Sequence, residues 1–303
     1  MGRQWIGTSP SGQDGATAPL PKGVTNLLES SRIHKLNNSL TKYNVVSFSG
    51  GKDSTAMLLH MLELDMPIDE IIFCDTTVEF PQMYDHINKV EKFIRRPITR
   101  LAQKNNFEYY LLKKKVHHTR GRFKGMTTCG YGFPFIKSRW CTRIFKTQAV
   151  EKHLREIAAG KEINEYVGIA ADETKRVKDK LYPLVEWGWT EKDCLQYCYS
   201  KGFDWSGLYE HFDRLSCWCC PMQRIGAWRN LRQFFPNLWS KLLEWEERKI
   251  EMDGSIRGLT SRYSAHDLDV RFALEEKHTS LGLPIKNREF YELLKAKKRE
   301  MTV

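Results

Sequence analysis

Six consecutive residues, Ser49-Gly50-Gly51-Lys52-Asp53-Ser54, gather two glycines, a cation, a carboxylate and two hydroxyls into one short turn. Adjacent glycines let a backbone tighten and approach a ligand where a Cβ would clash. Free amides at a turn that opens a helix face one point, with the positive end of the helix dipole behind them, and this suits phosphate. Lys52 adds a mobile cation, and Ser49, Ser54 and Thr55 add hydroxyl donors. Asp53 is placed to cap the helix or to help hold Mg²⁺. The turn differs from the G-x-x-x-x-G-K-[ST] loop, because no second distant glycine is present and an Asp follows the Lys.

Sulfur forms the second constellation. Cys217 and Cys220 make a C-x-x-C pair, the spacing at which a tight turn aims two sulfurs at one metal. Cys141 lies among Arg139, Arg143 and Lys146, cations that favour a thiolate, and is the natural third ligand. Cys129 or Cys219 would be the fourth. Four sulfurs suit Zn²⁺ or an iron–sulfur cluster. A redox dithiol and plain packing are the alternatives. Cys194 and Cys198, four apart on an expected helix, read as buried packing.

The elements that position these groups follow from patterning. Tyr43 to Phe48 reads as a buried strand, and Met57, Leu58, Met61 and Leu62 recur at helical spacing after the turn. Asp69 to Asp75 reads as a second parallel strand that sets Asp75, Thr76 and Thr77 at the carboxyl end of the sheet, where ligands bind in open α/β folds. A helical region is expected from Glu79 to about Asn105, broken near Pro97. Glu108 to Leu112 reads as a third strand and Ile163 to Ala171 as a fourth. Gly168 lies in that fourth strand, and Glu173 and Arg176 follow it, able to clamp ribose or phosphate. Lys113 to Lys124 carries many cations without an apolar stripe, so it is expected on a loop over the active-site edge, holding nucleic-acid phosphates or simply solvated. Thr190 caps a helix through Cys198, with Asp193 completing the box. The region from Ala227 onward is helical, interrupted at Pro236.

The expected organisation is a flexible tail over residues 1–22, a nucleotide-binding α/β core over 23–185 and a helical C-terminal region with the Cys motif over 186–303. A helix is expected between Val24 and Leu40. The 303 residues can bury a sizeable core. At 41% hydrophobic residues with no run of membrane-spanning length, a soluble protein that does not engage a membrane is expected. The N-terminal residues lack an apolar leader, so the cytoplasm is the expected compartment, and there the eight Cys are not read as disulfides. A formal charge of +11 fits nucleic acid, an anionic nucleotide or a solvated surface.

The turn resembles the S-G-G-x-D-S signature of the PP-loop ATP pyrophosphatases. Asp75-Thr-Thr-Val-Glu-Phe-Pro81, Arg139-Trp-Cys-Thr142 with Lys146, Gly168 through Arg176, and Pro183-Leu184 with Glu186-Trp187 and Thr190-Glu191 are similar to the branch containing phosphoadenosine phosphosulfate (PAPS) reductase. The resemblance spans roughly residues 43–245. It implies an adenine nucleotide alpha hydrolase-like (Rossmann-like) α/β fold, a parallel sheet flanked by helices. It implies ATP with Mg²⁺, cleaved to AMP and pyrophosphate to activate an acceptor. Lys52, Asp53, Arg143 and Arg176 would carry the chemistry. Ser47, Ser49, Gly50, Gly51, Ser54, Asp75, Thr76, Thr77, Gly168 and Glu173 would hold the nucleotide. Relatives that transfer sulfur to DNA look similar at the Cys motif and carry a cluster, which favours [4Fe–4S] over Zn²⁺ on Cys129, Cys141, Cys217 and Cys220, and implies DNA or RNA and a sulfur-donor protein as partners. Sulfonucleotide reductases carry a C-terminal catalytic Cys and a degenerate glycine loop, whereas here the loop is complete and no Cys follows Cys220. Sulfonucleotide reduction, sulfate adenylylation and a non-catalytic nucleotide-sensing or nucleic-acid-binding regulator are the alternatives.

Overall fold

A computed structural model describes residues 42–121, 124–136, 138–158, 160–215, 217–253, 259–260, 263–285 and 287–300. The expected tail over 1–22 and the helix between Val24 and Leu40 lie outside these residues. Strand β1 (Lys42–Ser47) buries Val45 and Val46 completely, as a short β-branched run between two layers must. The glycine turn then leads into α1 (Lys52–Glu63), whose Ala56, Met57, Leu58 and Met61 are fully buried. Strand β2 (Glu70–Asp75) lies parallel to β1, with Val46 opposite Ile71. Helix α2 (Pro81–Ile94) starts at a proline, whose missing N–H costs nothing in a first turn, and ends three residues before Pro97. Strand β3 (Thr99–Ala102) then pairs parallel to β2.

The third strand is therefore Thr99–Ala102, and the expectation for Glu108 to Leu112 is corrected. Tyr109–Lys113 is a single π-helical turn. Asn106 Oδ1 accepts from Tyr109 N at 2.9 Å and starts the turn, which then buries Leu111 and Leu112. The cation-rich stretch is likewise more ordered than a loop. Strand β4 (Lys115–His117) pairs antiparallel with β5 (Thr127–Cys129) as a separate two-stranded ribbon. Gly130 closes the ribbon's base, where a Cβ would lie 2.0 Å from the Leu111 carbonyl oxygen. Lys249 Nζ also donates to the Cys129 and Gly130 carbonyls there.

Helix α3 (Gln148–Ile157) leads to β6 (Glu162–Val167), which takes the place next to β1, so the four-stranded parallel sheet runs β3-β2-β1-β6. The helical part comprises α4 (Pro183–Glu186), α5 (Glu191–Ser200), α6 (Leu208–His211), α7 (Ile225–Phe234), α8 (Pro236–Asp253), α9 (Ala265–Ser280) and α10 (Arg288–Glu300). The Thr190–Asp193 capping box at the start of α5 is present, and Pro236 separates α7 from α8 as the sequence requires. Cys194 and Cys198 are fully buried against the core.

Tyr43–Val303 is one compact unit. One apolar cluster joins Val46 of the sheet and Met57 of α1 to Trp205, Trp228 and Trp245 of the helical part. The helical part thus stands directly against the α/β layers, and its side chains reach the carboxyl end of the sheet. Among the described residues, no helix is long and apolar enough to cross a membrane.

Candidate functional site

The glycine turn is braced by its own hydroxyls. Ser54 Oγ accepts from Ser49 N at 3.2 Å, donates to the Gly51 carbonyl at 3.1 Å and lies 3.0 Å from Ser49 Oγ. Gly50 takes a left-handed φ of +77°, and a Cβ there would meet Met83 Sδ at 2.6 Å. Gly51 is the N-cap of α1 and supplies no side-chain cap, so the amides of the helix start take no partner from the cap residue itself. From the other side, Gly168 at the end of β6 comes so close that a Cβ would lie 2.7 Å from Ser54 N and Cα. A glycine is required there to let the strand end and the helix start touch.

Beside the turn opens a cavity of about 640 Å³, within the ~300–1,000 Å³ range of small-molecule sites. Ser47, Ser49, Gly51, Lys52, Asp53, Ser54, Gly168 and Arg176 all line it. Lys52 is 5% exposed, and its ammonium donates to Glu191 Oε2 at 2.5 Å and stands 3.8 Å from Asp53 Oδ2. Burial, with the Glu191 and Glu173 carboxylates nearby, pushes the Asp53 carboxyl up to about 6 against the opposing pull of Lys52 and Arg176. Asp53 Oδ1 is buried with no hydrogen-bond partner among the described residues. The cavity wall mixes cations with the carboxylates of Asp53, Glu79, Glu151 and Glu165, and the orphaned Asp53 oxygen is a hard donor of the kind Mg²⁺ takes.

Other expected residues are used differently. Asp75 Oδ1 accepts from Thr77 N at 2.7 Å and from the Tyr84 hydroxyl at 2.8 Å, while Thr77 Oγ1 accepts from Phe107 N at 2.9 Å. These three contacts fix the turn after β2, and neither Asp75 nor Thr77 lines the cavity. Thr76 Oγ1 donates to Glu79 Oε1 at 2.7 Å. Glu173 forms an ion pair with Arg176, holding it at the cavity wall. Arg143 is exposed and outside the lining; Lys146, one turn further on, lines the cavity in its place.

Cys217 sits in the same cavity wall, far along from the glycine turn in sequence. Its sulfur is 3.2 Å from Thr76 Oγ1 and donates to Glu79 Oε1 at 3.5 Å. Burial and the Glu79 charge push this thiol well above the ordinary cysteine value, so it is held protonated. Desolvation opposes the Lys146 charge, but the acidic groups around it, the Glu79 carboxylate among them, hold its pKa above the ordinary lysine value. Cys141, Cys219 and Cys220 belong to this neighbourhood, since burial first and their mutual charges second raise the Cys219 thiol. Cys129 stands instead at the foot of the β4–β5 ribbon. Among the described residues, no three His, Cys, Asp or Glu side chains are arranged to hold a metal ion. The thiols as folded do not form a ready metal set.

Two residues beside Lys52 have roles that the sequence did not show, although Glu191 closes the motif that begins at Pro183. Tyr209 Oη accepts from Lys52 N at 2.7 Å, and Glu191 takes the Lys52 ammonium. Both lie more than 130 positions away along the chain, so only tertiary packing brings them in. The C-x-x-C and glycine-turn motifs gave no hint of them. Glu165 Oε1 accepts from the Ser47 hydroxyl at 2.7 Å and was missed for the same reason.

With this geometry in view, the chain can be set beside known proteins. A family described as the phosphoadenosine phosphosulfate reductase domain matches residues 43–223. The chain is similar to an uncharacterized protein of Methanocaldococcus jannaschii, 29% identical over 242 residues, covering 74% of this chain and 46% of the relative. It is also similar to an uncharacterized nin region protein of Escherichia phage lambda, 32% identical over 149 residues, covering 45% of this chain and 51% of the relative. The chain spans about half the length of the curated relatives it matches. Among solved structures it is similar to a phosphoadenylyl-sulfate reductase from Candida auris in complex with phosphate, with a TM-score of 0.40 and 14% identity over 67% of this chain and 98% of that one.

Proposed function

Because the chain belongs to the phosphoadenosine phosphosulfate reductase domain family, we propose that it is an adenine-nucleotide enzyme that cleaves ATP to AMP and pyrophosphate to activate an acceptor. One observation carries this reading: Lys52 stands in the cavity wall at a helix start whose N-cap is a glycine, beside a complete diglycine turn. The turn amides and Lys52 would take the β- and γ-phosphates, where the helix dipole favours negative charge. Arg176, beside Asp53, would neutralise the α-phosphate. Arg143, exposed and outside the lining, is the weaker candidate for that role. An acceptor oxygen attacks the α-phosphorus, the bond to the bridging oxygen breaks, and pyrophosphate leaves with the electron pair. Lys52 neutralises charge as it builds on that leaving group. A bound Mg²⁺ would supply further charge neutralisation, and Asp53 is the residue that would hold it. In the free protein Glu191 shares the Lys52 ammonium, and a triphosphate competes for it.

The finer proposal is that the activated acceptor receives sulfur and is a nucleic acid, with the sulfur brought by a donor protein. The +11 charge and the exposed cations of the β4–β5 ribbon support it. A metal or [4Fe–4S] centre on the Cys141, Cys217 and Cys220 thiols belongs to this finer proposal and rests on donor chemistry alone. The Cys217 thiol in the cavity wall favours a second reading, a sulfonucleotide-handling enzyme, which would show thioredoxin-supported reduction or sulfate-dependent pyrophosphate release. Turnover of α-³²P-labelled ATP with candidate acceptors tests the first reading: labelled AMP is expected, and labelled ADP would contradict the cleavage site.

A further inference from the structure

Lys52 N is the first amide of α1 and one of the donors that a phosphate at the turn would be expected to use. It already donates to the Tyr209 hydroxyl oxygen at 2.7 Å. That bond occupies a lone pair of the phenol and leaves its proton without an acceptor among the described residues. Tyr209 lines the same cavity as Ser49, Gly51 and Lys52, and a Cβ on Gly51 would lie 3.5 Å from its oxygen. The phenol therefore sits over the turn, on the face a ligand would approach.

Its placement is fixed from the helical part. Trp205 meets the Tyr209 ring edge-on, with centroids 4.8 Å apart, and donates through Nε1 to the Gly50 carbonyl at 2.7 Å. The same indole stacks on His86 at 4.3 Å. To reach these contacts Trp205, Ser206 and Gly207 all adopt left-handed backbone, with φ of +51°, +51° and +79°. Each of the two non-glycine residues stores about 1–3 kcal/mol of strain. Burial of the indole, at ~200 Å², offsets this by on the order of 5 kcal/mol. The turn thus holds strain in order to seat Trp205 and Tyr209 against the glycine loop.

We propose that Tyr209 is a nucleotide-binding residue that passes the donor function of the Lys52 amide into the cavity, giving its phenolic proton to an anionic oxygen of the β- or γ-phosphate. An O–H whose oxygen accepts from an N–H is polarised and donates more strongly. Burial raises the Tyr209 phenol well above its ordinary pKa, so it remains a donor throughout the neutral range. The inference rests on the nucleotide reading above and extends the site to a residue of the helical part.

Calorimetric titration of the full chain with ATP, inorganic pyrophosphate and AMP separates the possibilities. Tyr209→Phe keeps the ring and its contact with Trp205 but removes the acceptor of Lys52 N, so it should stay folded with a melting temperature only a few degrees below the parent protein. It should bind ATP and pyrophosphate more weakly by on the order of tenfold, the loss of a hydrogen bond to a charged group, with AMP unchanged. Trp205→Phe, which loosens the phenol and leaves its hydroxyl in place, should give a smaller loss for the same two probes. Equal ATP affinity in Tyr209→Phe overturns the inference. Tighter ATP binding also overturns it and marks the hydroxyl as a plug on the Lys52 amide. A parent protein that binds none of the three probes rejects the nucleotide reading itself.

Discussion

Gly168→Ala is the sharpest test of how the site is built. A Cβ there would lie 2.7 Å from Ser54 N and Cα and 2.9 Å from the Asp53 carbonyl carbon. All three atoms are backbone, so no side chain can swing aside, and the end of β6 must separate from the start of α1. Overpacking of this kind costs up to about 3 kcal/mol. For a chain of this size that lowers the melting temperature by roughly 6–12 °C. Gly51→Ala is the internal control, because its Cβ would meet only the Tyr209 hydroxyl at 3.5 Å and Ser49 Oγ at 3.6 Å. Its expected cost is about 1 kcal/mol, for replacing glycine by alanine at an N-cap. Its Cβ would nonetheless point toward the Tyr209 hydroxyl, so nucleotide affinity should fall more than stability does. Scanning calorimetry of both variants, with and without ATP, makes the comparison. A Gly168→Ala protein that melts with the parent, or above Gly51→Ala, would refute the close approach on which the turn's geometry depends.

Other expectations follow from particular groups. With Asp53 raised to about 6, its carboxylate form, and with it divalent-cation-dependent ATP turnover, should appear as pH rises through about 6; Asp53→Asn should abolish the metal dependence, and an unchanged acid limb would exclude Asp53 as its source. Buried Glu246 accepts from Ala265 N at 2.8 Å and His266 N at 2.9 Å, so Glu246→Ala should leave the first two amides of α9 unpaired while its Ser264–Asp267 capping box remains, and cost about 3 kcal/mol in urea unfolding. The hydrogen bond to Glu246 lifts His266 to about 9, so its contribution is full below about pH 6.5 and lost as pH rises through about 9; His266→Gln should flatten the alkaline decline of the melting temperature. The sulfur-centre proposal predicts iron or zinc in anaerobically purified protein, and protein holding neither would leave Cys141, Cys217 and Cys220 as packing thiols.

What the sequence displayed was local. β1, the diglycine turn and α1 are consecutive, and their patterning and glycines state the geometry directly. The Thr190 cap and the break at Pro236 were legible for the same reason. Strand β3 was missed because Thr99-Arg-Leu-Ala102 is four residues long, half-exposed and without a β-branched run, while Glu108 to Leu112 looked more strand-like. A short apolar run has no periodicity to distinguish strand from helix, and the Asn106 cap decides for a helical turn. Asp75 and Thr77 were placed at the right end of the sheet, but their hydrogen bonds fix the turn itself. The roles of Tyr209, Glu191 and Glu165 were invisible, Glu191 showing only as the last residue of a motif, because they arise only when distant segments pack together.

The central claim is that the diglycine turn with Lys52 holds the pyrophosphoryl end of a nucleoside triphosphate. A crystal structure of the full chain soaked with ATP, paired with calorimetric binding to Lys52→Ala, measures it most directly. The account predicts β- and γ-phosphates on the amides of residues 49–54 and at least a tenfold loss of affinity in the variant. Phosphates lodged elsewhere, or a Lys52→Ala protein that binds ATP as the parent does, would contradict it.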